Sequence, residues 1–177
     1  MSEVGAELPI RHVFDLGGLS HAGSQATVAA HGDELTRLAH WAGLEAVNDF
    51  SAKVALRRLT QTQFAFEADL VCDIVQSCVV TLEPVAAHIE RHIARELHFT
   101  PRGRTERTEL TLAAGDDDVP EEIDNLHYDL AAPLLEEFVL AIDPYPRKEG
   151  VAFEAPLDPT AAQESPFAVL KGLKEGR

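Results

Sequence analysis

A chain of 177 residues carries enough material for one domain with a sizeable buried core. Hydrophobic residues at 45% and charged residues at 25% fit a globular protein, and no apolar run approaches the ~18 residues that a membrane span needs. Against 30 Asp and Glu, the 15 Lys and Arg leave a net charge of −15, which disfavours binding to a polyanion through a broad basic surface.

Acids at Glu3, Glu7 and Asp15, with no apolar stretch beside them, predict no secretory signal. A cytoplasmic chain is expected, and two cysteines suit that reducing compartment. Short β elements come first: Ile10, His12, Phe14 and Leu16 alternate with Arg11 and Asp15, and Ala26, Val28 and Ala30 alternate after glycine turns. Asp33 is placed to cap a helix with an apolar stripe at Leu35, Leu38, Ala39 and Ala42, and Gly43 is placed to end it. The clearest pattern follows. Phe50, Ala52, Val54 and Leu56 share one face of an extended segment, and Phe64, Phe66, Ala68, Leu70, Cys72 and Ile74 share one face of the next. A turn centred on Gln61 would set Leu56 opposite Phe66, Val54 opposite Ala68 and Ala52 opposite Leu70, with Lys53 facing Asp69 on the wet side.

Residues 85–99 can be read two ways. Val85, Ile89, Ile93 and Leu97 are four apart, as on a helix, yet all odd, as on one strand face shared with Phe99. Residues 101–124 turn polar, arginine-rich and then acidic, and read as a surface excursion. A second helix begins within 129–133, between the capping Asp129 and Pro133, and its stripe is Leu130, Leu134, Phe138, Ala141 and Ile142. Asp143-Pro144-Tyr145-Pro146 ends it. Residues 147–164 read as a linker. At 165–177, Ser165, Pro166, Phe167, Leu170 and Leu173 read as a short helix that must dock on its own domain or on a partner.

The charge is unevenly placed along this order. Residues 1–107 hold 14 acids and 10 bases, residues 108–146 hold 11 acids and no base, and residues 147–177 hold five of each. Arg57, Arg58, Arg91, Arg95, Arg102, Arg104 and Arg107 are therefore the basic residues that could touch RNA phosphates, unless they pair with neighbouring acids. The acidic run at Asp116, Asp117 and Asp118 could instead meet a basic partner.

No Gly-rich phosphate loop, nucleophile elbow, HExxH or zinc-ribbon spacing is present, so no catalytic residue, cofactor or small-molecule substrate is assigned. Cys72 and Cys78 lie roughly 20 Å apart if extended, too far for a disulfide, and both read as core. His88 and His92 could share a metal ion on a helix, but on a strand they would lie roughly 13 Å apart and could not.

The run Val75-Gln76-Ser77-Cys78-Val79-Val80-Thr81-Leu82-Glu83-Pro84-Val85 resembles the signature of the bacterial YceD-like family, the large ribosomal RNA subunit accumulation proteins. Gln76, Cys78, Thr81, Leu82, Glu83 and Pro84 carry that likeness. Asp129-Leu130, Glu136-Glu137 and Leu140-Ala141-Ile142-Asp143-Pro144-Tyr145-Pro146-Arg147 resemble the family's acidic helix and proline stop. Ser165-Pro166-Phe167-Ala168-Val169-Leu170 resembles its C-terminal Asn-Pro-Phe-Ala-Val-Leu box, with Ser in place of Asn. Some members carry Cys-x-x-Cys at the signature; this chain has Leu82 and Glu83 where a partner thiol would fall, so no zinc site is carried over. The resemblance tips residues 85–99 toward strand and implies a role in producing or stabilising large-subunit ribosomal RNA.

The reading is an α+β domain over residues 1–146, mainly an antiparallel sheet or partly open barrel with two or three short helices. The function expected is a non-enzymatic factor for large-subunit ribosomal RNA accumulation or processing, acting as an RNA-binding or protein-binding adaptor. Its partner would be ribosomal RNA or a basic large-subunit ribosomal protein. The acidic segment would hold the latter, with Phe167 and Leu170 as further contacts, and metal binding through His88 and His92 is a distant alternative.

Overall fold

Strict alternation over residues 50–74 produces two long strands, because a period of two places every apolar side chain on one face of a pleated segment. In the computed structural model, which describes residues 8–101 and 120–151, they are β3 (Ala46–Arg58) and β4 (Gln63–Ser77). Their register pairs Leu56 with Phe66, Val54 with Ala68, Ala52 with Leu70 and Lys53 with Asp69, as the turn around Gln61 requires. One bulge, between Val47 and Asp49, interrupts it.

Residues 84–99 are a strand, β5 (Pro84–Phe99), paired with β4 without interruption from Ser77↔Pro84 to Gln63↔His98. The apolar spacing of four arises because Arg91 and Arg95 occupy two of the odd positions that a simple strand face would fill with apolar side chains. Before β3 come β1 (Val13–Asp15), β2 (Ser24–Ala29) and α1 (Asp33–Ala42). After β5 come β6 (Glu121–Ile123), β7 (His127–Asp129) and α2 (Ala131–Ala141). The main sheet runs β2-β3-β4-β5-β6, antiparallel except for β5 with β6, and it stays open; β1 pairs with β7 in a separate ribbon. The open sheet, and not the barrel, is the form adopted.

One face of the sheet carries the core. Phe50, Phe64, Phe66 and Leu70 pack with Leu130 just before α2, Leu134 and Phe138 from α2 and Leu38 from α1, all fully enclosed. Phe50 meets Phe138 edge-on with ring centroids 5.5 Å apart.

The start of α1 differs from the sequence reading, whereas α2 starts within the expected 129–133. The residue before α1 is Gly32, at φ 52°, and Asp33 is already helical and makes no capping bond; the Glu34 carboxylate accepts the His31 N–H instead, at 3.2 Å. Helix α2 begins at Ala131, so Pro133 stands inside the first turn, where its missing N–H would have had no helical partner. Asp129 Oδ1 accepts the N–H of Ala131 at 3.1 Å and of His12 at 2.8 Å, which ties the helix start to the β1 segment. Gly43 ends α1 at φ 69°, the left-handed conformation expected there. Among the described residues no helix is long and apolar enough to cross a membrane. Of the polar excursion read at 101–124, the part with Arg102, Arg104, Arg107, Asp116, Asp117 and Asp118 lies outside the described residues, while its end forms β6; the linker beyond residue 151 and the helix expected at 165–177, with Phe167 and Leu170, also lie outside them.

Candidate functional site

Two motifs far apart in sequence meet at the tip of the β4–β5 hairpin. The Gln76 side-chain amide donates to the Asp143 carbonyl at 2.8 Å, and the Val79 N–H donates to the Pro146 carbonyl at 2.9 Å. Within the tip, the Cys78 N–H donates to Glu83 O and the Leu82 N–H to Cys78 O, each at 2.9 Å. The Glu83 carboxylate accepts from Lys148 Nζ at 3.0 Å and from the Thr81 hydroxyl at 3.3 Å, and the lysine bond and charge hold that carboxyl below its usual range.

The two cysteines do not share one role. Cys72 lies in the sheet core, where burial and the charges of Asp49 and Asp73 push its thiol up to about 12. Cys78 is enclosed in the turn and not in the hydrophobic core, which corrects the shared core reading: β4 ends at Ser77, so the strand parity stops before it. Its sulfur accepts the Lys148 N–H at 3.5 Å. Bonds from the Thr81 side chain and from the backbone N–H groups of Lys148, Thr81 and Val80 pull its thiol down to about 6.

The arginines do not form one patch. Arg58 turns inward, donating to the carbonyls of Leu16 at 3.2 Å and Gly17 at 2.9 Å and lying 5.5 Å from the centre of the Phe64 ring. Arg95 sits on the helix-covered face and pairs with Glu136 at 2.8 Å, Glu137 at 3.4 Å and Glu121 at 3.5 Å. Arg57 and Arg91 are exposed but lie on opposite faces, since Arg57 is in register with Ala65 and Glu96 whereas Arg91 shares the parity of Ile89 and Ile93. Parity alone separates them, and this could be read once residues 84–99 are taken as a strand.

The uncovered face of the sheet is acidic. Strand register places Asp49, Asp73 and His88 in one row, Lys53, Asp69 and His92 in the next but one, and Arg57, Ala65 and Glu96 further on, with Glu67 and Glu90 between. Six carboxylates thus share the face with Lys53 and Arg57. His88 joins Asp73, at 2.6 Å through Nδ1, to Glu90, at 3.3 Å through Nε2, and these bonds raise its pKa. His92 Nδ1 lies 2.8 Å from Asp69. Because His88 and His92 are four apart on a strand, roughly 13 Å, and engage different aspartates, the shared-ion alternative is dropped. No group of three or more His, Cys, Asp or Glu side chains arranged to hold a metal ion occurs among the described residues.

A family model described as large ribosomal RNA subunit accumulation protein YceD matches residues 66–174, more than half of the chain. The chain belongs to the YceD family. No curated protein and no solved structure matches it. The YceD match begins within β4 and takes in the hairpin tip, β5 and α2, so the Gln76–Pro84 signature and its contacts with Asp143, Pro146 and Lys148 all fall inside it. The family's description ties it to large-subunit ribosomal RNA accumulation.

Proposed function

We propose that this YceD-family chain supports the accumulation of large-subunit ribosomal RNA without catalysis, by holding a basic large-subunit ribosomal protein on its acidic surface. The observation that carries this reading is the division of charge. Arg58 and Arg95, two of the arginines that could have met phosphate, are engaged internally, while Asp49, Glu67, Asp69, Asp73, Glu90 and Glu96 share the uncovered face of the sheet. Such a face attracts a cationic partner and steers its approach, and it repels phosphate. The acidic run at Asp116, Asp117 and Asp118 would extend the same preference. An effect on ribosomal RNA then follows indirectly, through delivery or protection of the protein that binds it.

Binding measured separately to ribosomal RNA and to isolated basic large-subunit proteins tests the proposal. Asp69→Asn/Asp73→Asn/Glu90→Gln should weaken protein binding by roughly tenfold or more, and Arg102→Ala/Arg104→Ala/Arg107→Ala should leave it intact. Tight RNA binding lost only in the arginine variant would replace the proposal with direct RNA contact.

A further inference from the structure

The free edge of β5 carries the next inference. Strand β6 covers β5 only at Leu97, His98 and Phe99, so among the described strands none pairs with the outer edge from Pro84 to Glu96, about 40 Å of backbone. The direction of the edge groups is fixed by two bonds: the Phe99 N–H donates to Thr62 O on the β4 side, and the Thr100 N–H donates to Ile123 O on the β6 side. Alternation through an uninterrupted register therefore turns the N–H groups of Ala86, His88, Glu90, His92, Ala94 and Glu96 outward.

The side chains of those same residues lie on the acidic face, beside Glu67, Asp69 and Asp73 of β4. At the end of the edge, a groove of about 850 Å³ is lined by Glu96, Glu121 and Glu136 together with Ala94 and Arg95. The Arg91 guanidinium donates to the outward Glu90 carbonyl at 2.9 Å, a charged guard of the kind that keeps edge strands from aggregating.

We infer that this edge is the docking site for an extended, basic segment of a partner protein, which adds as a strand beside β5 from Ala86 to Glu96. Backbone hydrogen bonds would supply affinity, and alternate side chains would supply selectivity. One side of the added strand would lie along Glu90, Glu96 and the carboxylates of β4, which calls for Lys or Arg. Its other side would lie along Ile89, Ile93 and Arg91, which calls for apolar residues. A second copy of the chain would bring acid to acid, at a net charge of −15 each. The inference rests on the acidic-holder reading and adds to it a location and a binding mode.

Amide hydrogen exchange of the full chain, followed by NMR with a peptide of about 12 alternating Lys and Val residues, tests it. The outward amides of Ala86, His88, Glu90, His92, Ala94 and Glu96 should slow by roughly tenfold or more on peptide addition, and the β2 amides should not change. The same peptide N-methylated at alternate residues keeps its charge and loses strand pairing, and it should bind roughly tenfold more weakly. Ala94→Pro should weaken the unmodified peptide in the same way, because proline removes an outward N–H and is tolerated on an edge. Equal binding of the methylated peptide, protection at β2 instead, or outward amides already slow in the free protein would overturn the edge inference and leave the acidic reading standing. Undiminished binding to Asp69→Asn/Asp73→Asn/Glu90→Gln would overturn the basic occupant and the acidic reading together. Protection of these amides by a ribosomal RNA fragment and not by the peptide would overturn both as well.

Discussion

At the tip of the β4–β5 hairpin, Leu82 is held at φ 60° with 76% of its surface exposed. A Cβ in the left-handed region meets its own backbone, a cost of about 1 kcal/mol that glycine avoids. The conformation is imposed by the turn, since the Leu82 N–H must reach the Cys78 carbonyl while Cys78 N–H reaches Glu83. Leu82→Gly is therefore expected to raise stability in urea unfolding by no more than about 0.5 kcal/mol, net of the entropy glycine restores to the unfolded chain. The neighbouring cysteine supplies a second prediction at this scale. A thiol pulled down to about 6 is mostly thiolate at neutral pH, whereas Cys72, pushed up to about 12, is not. Both are enclosed, so reaction needs local opening, and the small turn at Cys78 opens more readily than the sheet core. Iodoacetamide at pH 7 should modify Cys78 faster than Cys72 by more than about tenfold, read by peptide mass mapping, and Cys78→Ser should abolish the fast phase.

Among the elements, β5 and α2 are joined by a charge that the sequence hides. Arg95 is 24% exposed and faces Glu121, Glu136 and Glu137; burial acts against its charge, and Glu136 and Glu121 outweigh that and raise its pKa. Tyr128 donates to both oxygens of Glu121, at 3.0 and 3.2 Å, so the cluster also fixes the start of the final helical segment. Arg95→Met would leave three carboxylates facing one another. Because Glu136 is largely exposed and water screens part of the repulsion, the expected loss is about 1–2 kcal/mol, and Glu136→Gln in the same background should recover part of it in thermal unfolding. The β3–β4 pairing was legible because its alternation is unbroken and its turn is short, so one register alone buries Phe66, Ala68 and Leu70. Strand β5 was ambiguous for the converse reason: Arg91 and Arg95 interrupt its apolar parity and leave a spacing of four that a helix shares. The contacts of Gln76 with Asp143 and of Lys148 with Cys78 join residues 67 and 70 positions apart, and local pattern carries no trace of them.

For the whole molecule, the −15 charge acts through where the fold places it. Part of it is neutralised inside, around Arg95, and part is displayed on the open face, where His88 bridges Asp73 of β4 and Glu90 of β5. That bridge makes the display depend on pH. Protonated His88 offsets the two carboxylates it touches, and their bonds to it raise its pKa above the ordinary value of 6.5. As pH rises through that raised value the imidazole loses its charge, and Asp73 and Glu90 then face solvent uncompensated. The attraction of the face for a cationic partner should therefore strengthen as pH rises from about 6 to 8, beyond any change in the partner, and weaken as pH falls. His88→Asn should remove most of this dependence while leaving affinity at the high-pH end close to its original value. Titration calorimetry with a lysine-rich peptide that does not itself titrate in this range, repeated across pH, reads the effect. An unchanged profile in His88→Asn would show that the carboxylate rows, and not the bridge, set the charge a partner meets.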